Sequence, residues 1–263
     1  MALALVDRRA MSASYARPMP PFRPAVDLHT LDGVKAWLRH VIRDYRWNVN
    51  GILLTDNRVV PLPKEPALVA KVIEVTVIEH FKRKAMGVPG LDVFDDLSGR
   101  GYPDVTLAGS AVGGRKIALD VKVARREPRR DGPPIRTRSR ITLGPFDSYF
   151  RRPDEPIPGV GVPYGGFTWH LDLIVVYDWD DANVENVEIL VVETWRVASM
   201  KRSSTTRNYM GAVNALDDLR SEQGDFSTIE EFYQYWRSMP VKGAAPPLEP
   251  EALEPEEAIE EGV

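Results

Sequence analysis

The stretch that decides the fold reads Lys116-Ile117-Ala118-Leu119-Asp120-Val121-Lys122-Val123-Ala124. Its large apolar residues fall on every second position, the period of an extended strand. Ile117, Leu119, Val121 and Val123 therefore form one row facing a core, while Ala118, Asp120 and Lys122 point the other way. The second face presents a carboxylate beside an ammonium group, with small Ala118 leaving space. Upstream, Tyr102-Pro103-Asp104 opens a shorter strand running to Leu107, and Gly113-Gly114 offers a turn between the two. A hairpin of this kind brings together Asp104 and Asp120, which lie 16 residues apart. Two carboxylates at one point repel unless a cation joins them, and oxygen ligands suit Mg²⁺. Taken singly, an Asp-x-Lys strand is also what a solvated face with a local ion pair looks like. Pro-Asp alone is ordinary turn chemistry.

Working outward, further strands are expected at 92–94 and 140–143. Residues 171–177 and 187–192 are nearly continuous apolar runs, which suits strands covered on both faces. Before the hairpin, Leu31, Val34, Trp37, Leu38, Val41, Ile42 and Tyr45 have helical spacing, with Thr30 or Asp32 as a cap and Asn50-Gly51 as the stop. A short hairpin follows around Asp56-Asn57. A second helix is expected over 66–85, with Leu68, Val69, Val72, Ile73, Ile78 and Phe81 on its apolar side and Gly87 ending it. A last helix begins at Ser227, which has capping-box spacing to Glu230. This order predicts an α/β or α+β domain with a mixed central β-sheet flanked by helices.

The formal charge of −4 conceals an uneven distribution. The stretch from Val241 holds seven glutamates against one lysine, so without it the charge becomes +2. The expected organisation is an N-terminal arm over 1–29, one domain over 30–240 and an acidic Pro/Glu-rich tail over 241–263. The absence of cysteine excludes disulfides, thiolate metal sites and cysteine nucleophiles. No apolar run is long enough to span a bilayer, and a cytoplasmic location is expected.

Three further features bear on chemistry. Glu74 sits among Val72, Ile73, Val75 and Val77, an apolar setting for an acid, and is a candidate third carboxylate. Arg125, Arg126, Arg129, Arg130, Arg136, Arg138 and Arg140 follow the Asp120 strand directly, a density that points to phosphate contact, with Arg129 and Arg130 singled out. Lys201-Arg202-Ser203-Ser204-Thr205-Thr206-Arg207-Asn208 combines cations with short hydrogen-bonding side chains of the kind that read base edges. Composition alone equally allows an ordinary polar loop there. His170 is read as structural, for want of a second ligand.

These residues together resemble the EcoRV-type restriction endonucleases of the PD-(D/E)xK nucleases. The resemblance runs in order through Gly51-Ile52, Pro61-Leu62, Glu74, Tyr102-Pro103-Asp104, Thr106-Leu107, residues 116–122, Thr142-Leu143-Gly144, His170, Trp195, Thr205-Thr206, Phe232 and Tyr235-Trp236-Arg237. It implies a restriction-endonuclease-like fold and a homodimer gripping double-stranded DNA. Asp104 and Asp120 would be Mg²⁺ ligands, Lys122 the catalytic lysine, and Glu74 an accessory acid and ligand. Ser203, Ser204, Thr205, Thr206, Arg207 and Asn208 would form the base-reading loop, with Thr142 near the DNA. The implied activity is Type II cleavage at a short palindromic site, leaving 5′-phosphate and 3′-hydroxyl ends. The loop departs from the family in having Lys201-Arg202-Ser203-Ser204 where glycines are usual, and Arg207 looks inserted. Two other readings remain open here: a nuclease of repair or junction processing, and a non-catalytic DNA-binding module.

Overall fold

The first helix, α1 (Leu31–Ile42), starts where Thr30 Oγ1 accepts a hydrogen bond from the Gly33 amide at 3.1 Å. Asp32 in its first turn and Arg39 and His40 in its last oppose the helix dipole. It stops well before Asn50-Gly51, because Tyr45 leaves the helical path and its hydroxyl hydrogen-bonds Thr76 Oγ1 at 2.8 Å. A two-stranded hairpin follows, β1 (Ile52–Leu53) against β2 (Val59–Val60), turning through Asn57 at φ 65°.

Helix α2 (Pro66–Ala85) has the predicted bounds. Its buried line is Val69, Ile73, Val77, Phe81 and Ala85, a spacing of four residues, so Val77 is central to the core face and Ile78 packs at its edge. After it come β3 (Asp92–Asp95), β4 (Val105–Ala108), β5 (Ile117–Arg125), β6 (Thr142–Pro145), β7 (Trp169–Asp180), β8 (Asn183–Glu193), β9 (Ala198–Arg202) and β10 (Tyr209–Ala212). The chain closes with α3 (Leu216–Ser221) and α4 (Ile229–Ser238). This computed structural model describes residues 26–95, 101–180, 183–205 and 207–241. Most of the expected arm and acidic tail, and Thr206, lie outside the described residues.

The expected mixed central sheet is present, with five strands in the order β3-β4-β5-β7-β8. β5 runs antiparallel to β4 and parallel to β7, and the other pairs are antiparallel. One face carries α1 and α2, where Trp37, Leu38, Ile73 and Phe81 pack over Ile117, Leu119, Leu171 and Leu173. The other face is covered by a second cluster in which Ala118, Ile174 and Val176 meet Leu143, Phe146, Phe150, Phe232 and Trp236. Ala118 is therefore fully buried, and does not leave open space. The small sheet β6-β10-β9 and helices α3 and α4 belong to this second layer.

Strands β9 and β10 and helix α3 escape the sequence reading. β9 carries the polar run of the expected loop, β10 contains Gly211, and α3 is too short to show a period. The cap of α4 is shifted by one residue. Thr228 accepts from the Glu231 amide at 3.1 Å, and Glu231 reaches back to the Ser227 amide at 2.9 Å. No helix among the described residues is long and apolar enough to cross a membrane.

Phe81 stacks edge-on against Trp37, with ring centroids 5.7 Å apart. Phe81→Ala should cost about 3–5 kcal/mol in urea unfolding. Truncating half-buried Ile78 should cost clearly less, and equal losses would contradict the assigned helix face.

Candidate active site

In the β4–β5 pairing, Val105 stands opposite Leu119, so Asp104 arrives beside Asp120 at the mouth of the hairpin. The two acids are laced to each other's backbone. The Asp104 amide donates to Asp120 Oδ1 at 3.2 Å, and the Val121 amide donates to Asp104 Oδ2 at 2.7 Å. Lys122, two residues along the same strand face, forms an ion pair with Asp120 Oδ2. Together with Glu74, Thr142, Tyr149 and Tyr209, these groups line a cleft of about 580 Å³.

Burial, then the neighbouring Asp120 charge, pushes the Asp104 carboxyl up to about 8. Desolvation disfavours the Lys122 ammonium, but Asp120 and Asp172 together outweigh it and raise its pKa. Asp172, which the sequence reading passed over inside an apolar run, is pushed up to about 7 by burial, with Lys122 opposing the rise and Asp120 adding to it. The signal available in the sequence was the single acid within the otherwise apolar run 171–177.

The expected residues divide. Asp104, Asp120 and Lys122 are brought together. Glu74 lines the same cleft from α2 but is ion-paired with Lys71. Among the described residues no third acid or histidine joins Asp104 and Asp120 in a ready-made metal cluster. His170 is a part-buried neutral ring: it hydrogen-bonds Tyr102 at 2.6 Å, stacks on Tyr164 at 4.0 Å, and desolvation pushes its pKa down to about 3.

Of the expected loop, Ser203 follows β9 and is tied to the cleft residue Thr142, whose Oγ1 donates to Ser203 Oγ at 2.9 Å. Ser204 Oγ accepts from the Arg207 amide at 3.2 Å, and Asn208 Nδ2 donates to Asp147 at 2.7 Å. Thr205 and Arg207 are exposed.

The arginines do not act alike. Arg126 is 8% exposed and bound to Glu188 at 2.8 Å, and Arg136 is paired with Glu127, so neither is free for phosphate. Arg129 and Arg130 are exposed on the connecting loop and do not line the cleft. Arg125, Arg138 and Arg140, with Lys64, line an adjoining groove of about 900 Å³ that shares Lys122 and Thr142 with the cleft.

With both carboxyls ionised, the Asp104–Asp120 pair carries more negative charge than one lysine can balance. The donor set fits a hard divalent cation held by oxygen.

A mixed sheet with helices on one face and a small second sheet on the other, carrying two converging acids and a lysine, defines a restriction-endonuclease-like protein. Residues 43–252 match the family described as restriction endonuclease EcoRV. Over 213 residues the chain is 22% identical to the Type II restriction enzyme EcoRV of Escherichia coli, covering 73% of this chain and 82% of that enzyme. The chain belongs to the EcoRV restriction endonuclease family, which implies double-stranded DNA as its partner.

Because Asp104 is raised from 3.8 to about 8, the stability tied to its proton is fully present below the lower value. It is lost as pH climbs through the upper one. In EDTA the protein should therefore weaken between about pH 4 and 8. Asp104→Asn should melt higher than the parent at pH 8, by a few degrees, with the gap closing at pH 4. A gap that does not change with pH would contradict this.

Proposed function

We propose that this chain is a Type II site-specific endodeoxyribonuclease of the PD-(D/E)xK kind, hydrolysing phosphodiester bonds of duplex DNA and leaving 5′-phosphate and 3′-hydroxyl ends. The observation that carries the reading is the reciprocal lacing of Asp104 and Asp120 with Lys122 beside them. Asp104 and Asp120 hold Mg²⁺, which when bound lowers the pKa of a water and polarises a phosphate oxygen. Asp120 Oδ1 accepts from the Asp104 amide, which leaves Oδ2 to face Lys122 or an incoming cation. Lys122 places a positive charge against the non-bridging oxygens as negative charge develops there. Glu74 serves as the accessory acid and third ligand from the facing helix, exchanging Lys71 for the site when DNA is bound.

Residues 30–240 act as one endonuclease domain. The loop of Ser203, Ser204, Thr205, Thr206, Arg207 and Asn208 reads base edges in the major groove, where arginine suits guanine and asparagine suits adenine. Thr142, tied to Ser203, couples that loop to the cleft. Arg138, Arg140 and Lys64 track the phosphates nearest the scissile bond, and Arg129 and Arg130 meet phosphates farther out. The protein acts in the cytoplasm.

A second copy of the chain supplies the other half of the grip. In the β1–β2 hairpin Leu53 and Val59 are 66% and 58% exposed, with Ile52 and Val60 beside them. Such an apolar ribbon favours a self-complementary contact, and two-fold symmetry implies a palindromic target.

Incubating the protein with unmethylated phage DNA, with and without Mg²⁺, and sequencing the ends tests the reading. Discrete fragments sharing one end sequence are expected only with Mg²⁺. They should vanish in Asp120→Ala and Lys122→Ala, while both variants still bind DNA. A smear, or cutting of branched DNA alone, would move the function to repair or processing. Normal cleavage by either variant would remove the mechanism. Sedimentation should give twice the 29.5 kDa chain mass for the parent and the single mass for Leu53→Asp. A monomeric parent would remove the dimer.

A further inference from the structure

The sheet face that carries Asp120 and Lys122 continues onto β7, where Asp172 stands level with Asp120 in the parallel register. Asp172 is 1% exposed, more deeply set than either acid of the laced pair. Its Oδ2 is buried without a hydrogen-bond partner among the described residues. The carboxyl has a side-chain hydrogen bond with Thr194, itself buried in the turn after β8. A carboxylate so placed is costly unless a counter-charge lies close.

The neighbours on that face leave one answer. His170 is a neutral ring committed to Tyr102 and Tyr164. Ala118 and Ile174 are apolar and fully buried. Of the charged groups acting on Asp172, Asp120 repels it and Lys122 attracts it. Two carboxylates thus act on Lys122, with Asp120 in contact at the cleft and Asp172 level with Asp120 on the neighbouring strand.

We propose that Asp172 is a positioning residue for Lys122: its buried carboxylate, level with Asp120 on the neighbouring strand, holds the ammonium at the cleft wall when Asp120 turns to other partners. Without it, the counter-charges left to Lys122 are Asp120 and, more weakly, Asp104, and Lys122 competes for both carboxylates with any incoming cation. Asp172 does not touch substrate, because its oxygens are closed off from the cleft. The consequence for cleavage rests on the nuclease reading above, whereas the pairing with Lys122 does not.

The test uses the full chain carrying Asp172→Asn, with Thr194→Val as the comparison. The amide is close to isosteric and removes a buried charge, so the variant should melt no lower than the parent. Asp172→Ser provides a second uncharged variant should the amide not fold. Duplex binding in EDTA should stay within about twofold, while single-turnover cleavage at saturating Mg²⁺ falls by about 10- to 100-fold, the usual effect of losing a supporting partner. Thr194→Val, which keeps the Asp172 charge, should cleave at close to the parent rate. After reductive ¹³C-methylation, the Lys122 resonance, assigned by its loss in Lys122→Arg, should be displaced in metal-free Asp172→Asn.

Cleavage by Asp172→Asn within about twofold of the parent would overturn the proposal, as would an unmoved Lys122 resonance. An equal loss in Thr194→Val would assign the effect to the hydrogen bond and overturn it too. A parent that cuts no DNA would remove the nuclease reading, and the resonance would still decide the pairing.

Discussion

The structure turns on the antiparallel register between β4 and β5. That register sets Asp104 beside Asp120, and the Val121 amide donating to Asp104 at 2.7 Å and the Asp104 amide donating to Asp120 at 3.2 Å hold both carboxylates in place. Side chains alternate along a strand, so a slip of one residue would send Asp120 and Lys122 into the helix-covered core and bring Leu119 and Val121 to the cleft. The apolar row under α1 and α2 makes such a slip prohibitive. Core packing and site geometry are in this way one constraint. The parallel pairing of β5 with β7 extends it, by fixing Asp172 level with Asp120.

The arrangement gathers negative charge where water is scarce. Burial and mutual repulsion raise Asp104 to about 8, and the lone lysine is already engaged by Asp120. A site of this kind is unfavourable as it stands and becomes favourable on taking up a cation. Around it the charge changes sign, since Arg125, Arg138, Arg140 and Lys64 line the adjoining groove. The overall charge of −4 gives no hint of this, because the excess of acid after Val241 offsets it.

Much of this was legible in the sequence because it rests on local periods. The alternation from Ile117 to Val123 named the core face and the chemical face, and Pro66 at its start with Gly87 beyond its end gave α2 its bounds. What stayed hidden depends on partners distant in the chain. Arg126 looks like its neighbours in a basic run until Glu188, 62 residues later, claims it. Asp172 reads as an oddity in an apolar strand until the parallel register brings it to Asp120. β9 ends in a polar run and β10 is four residues interrupted by Gly211, and they become strands by pairing with each other, and β10 with β6. The α4 cap was missed by one residue because Ser227 and Thr228 are both good caps, and Glu231 selects between them.

The most direct test of the account is whether Asp104 and Asp120 together bind a divalent cation. Calorimetric titration of Ca²⁺ into the complex with its duplex would measure this without turnover. The account predicts saturable binding in the parent, weakened by at least tenfold in both Asp104→Asn and Asp120→Asn. Equal binding in the parent and the two variants would contradict it, because the ion would then sit elsewhere and the converging pair would have no role in holding it.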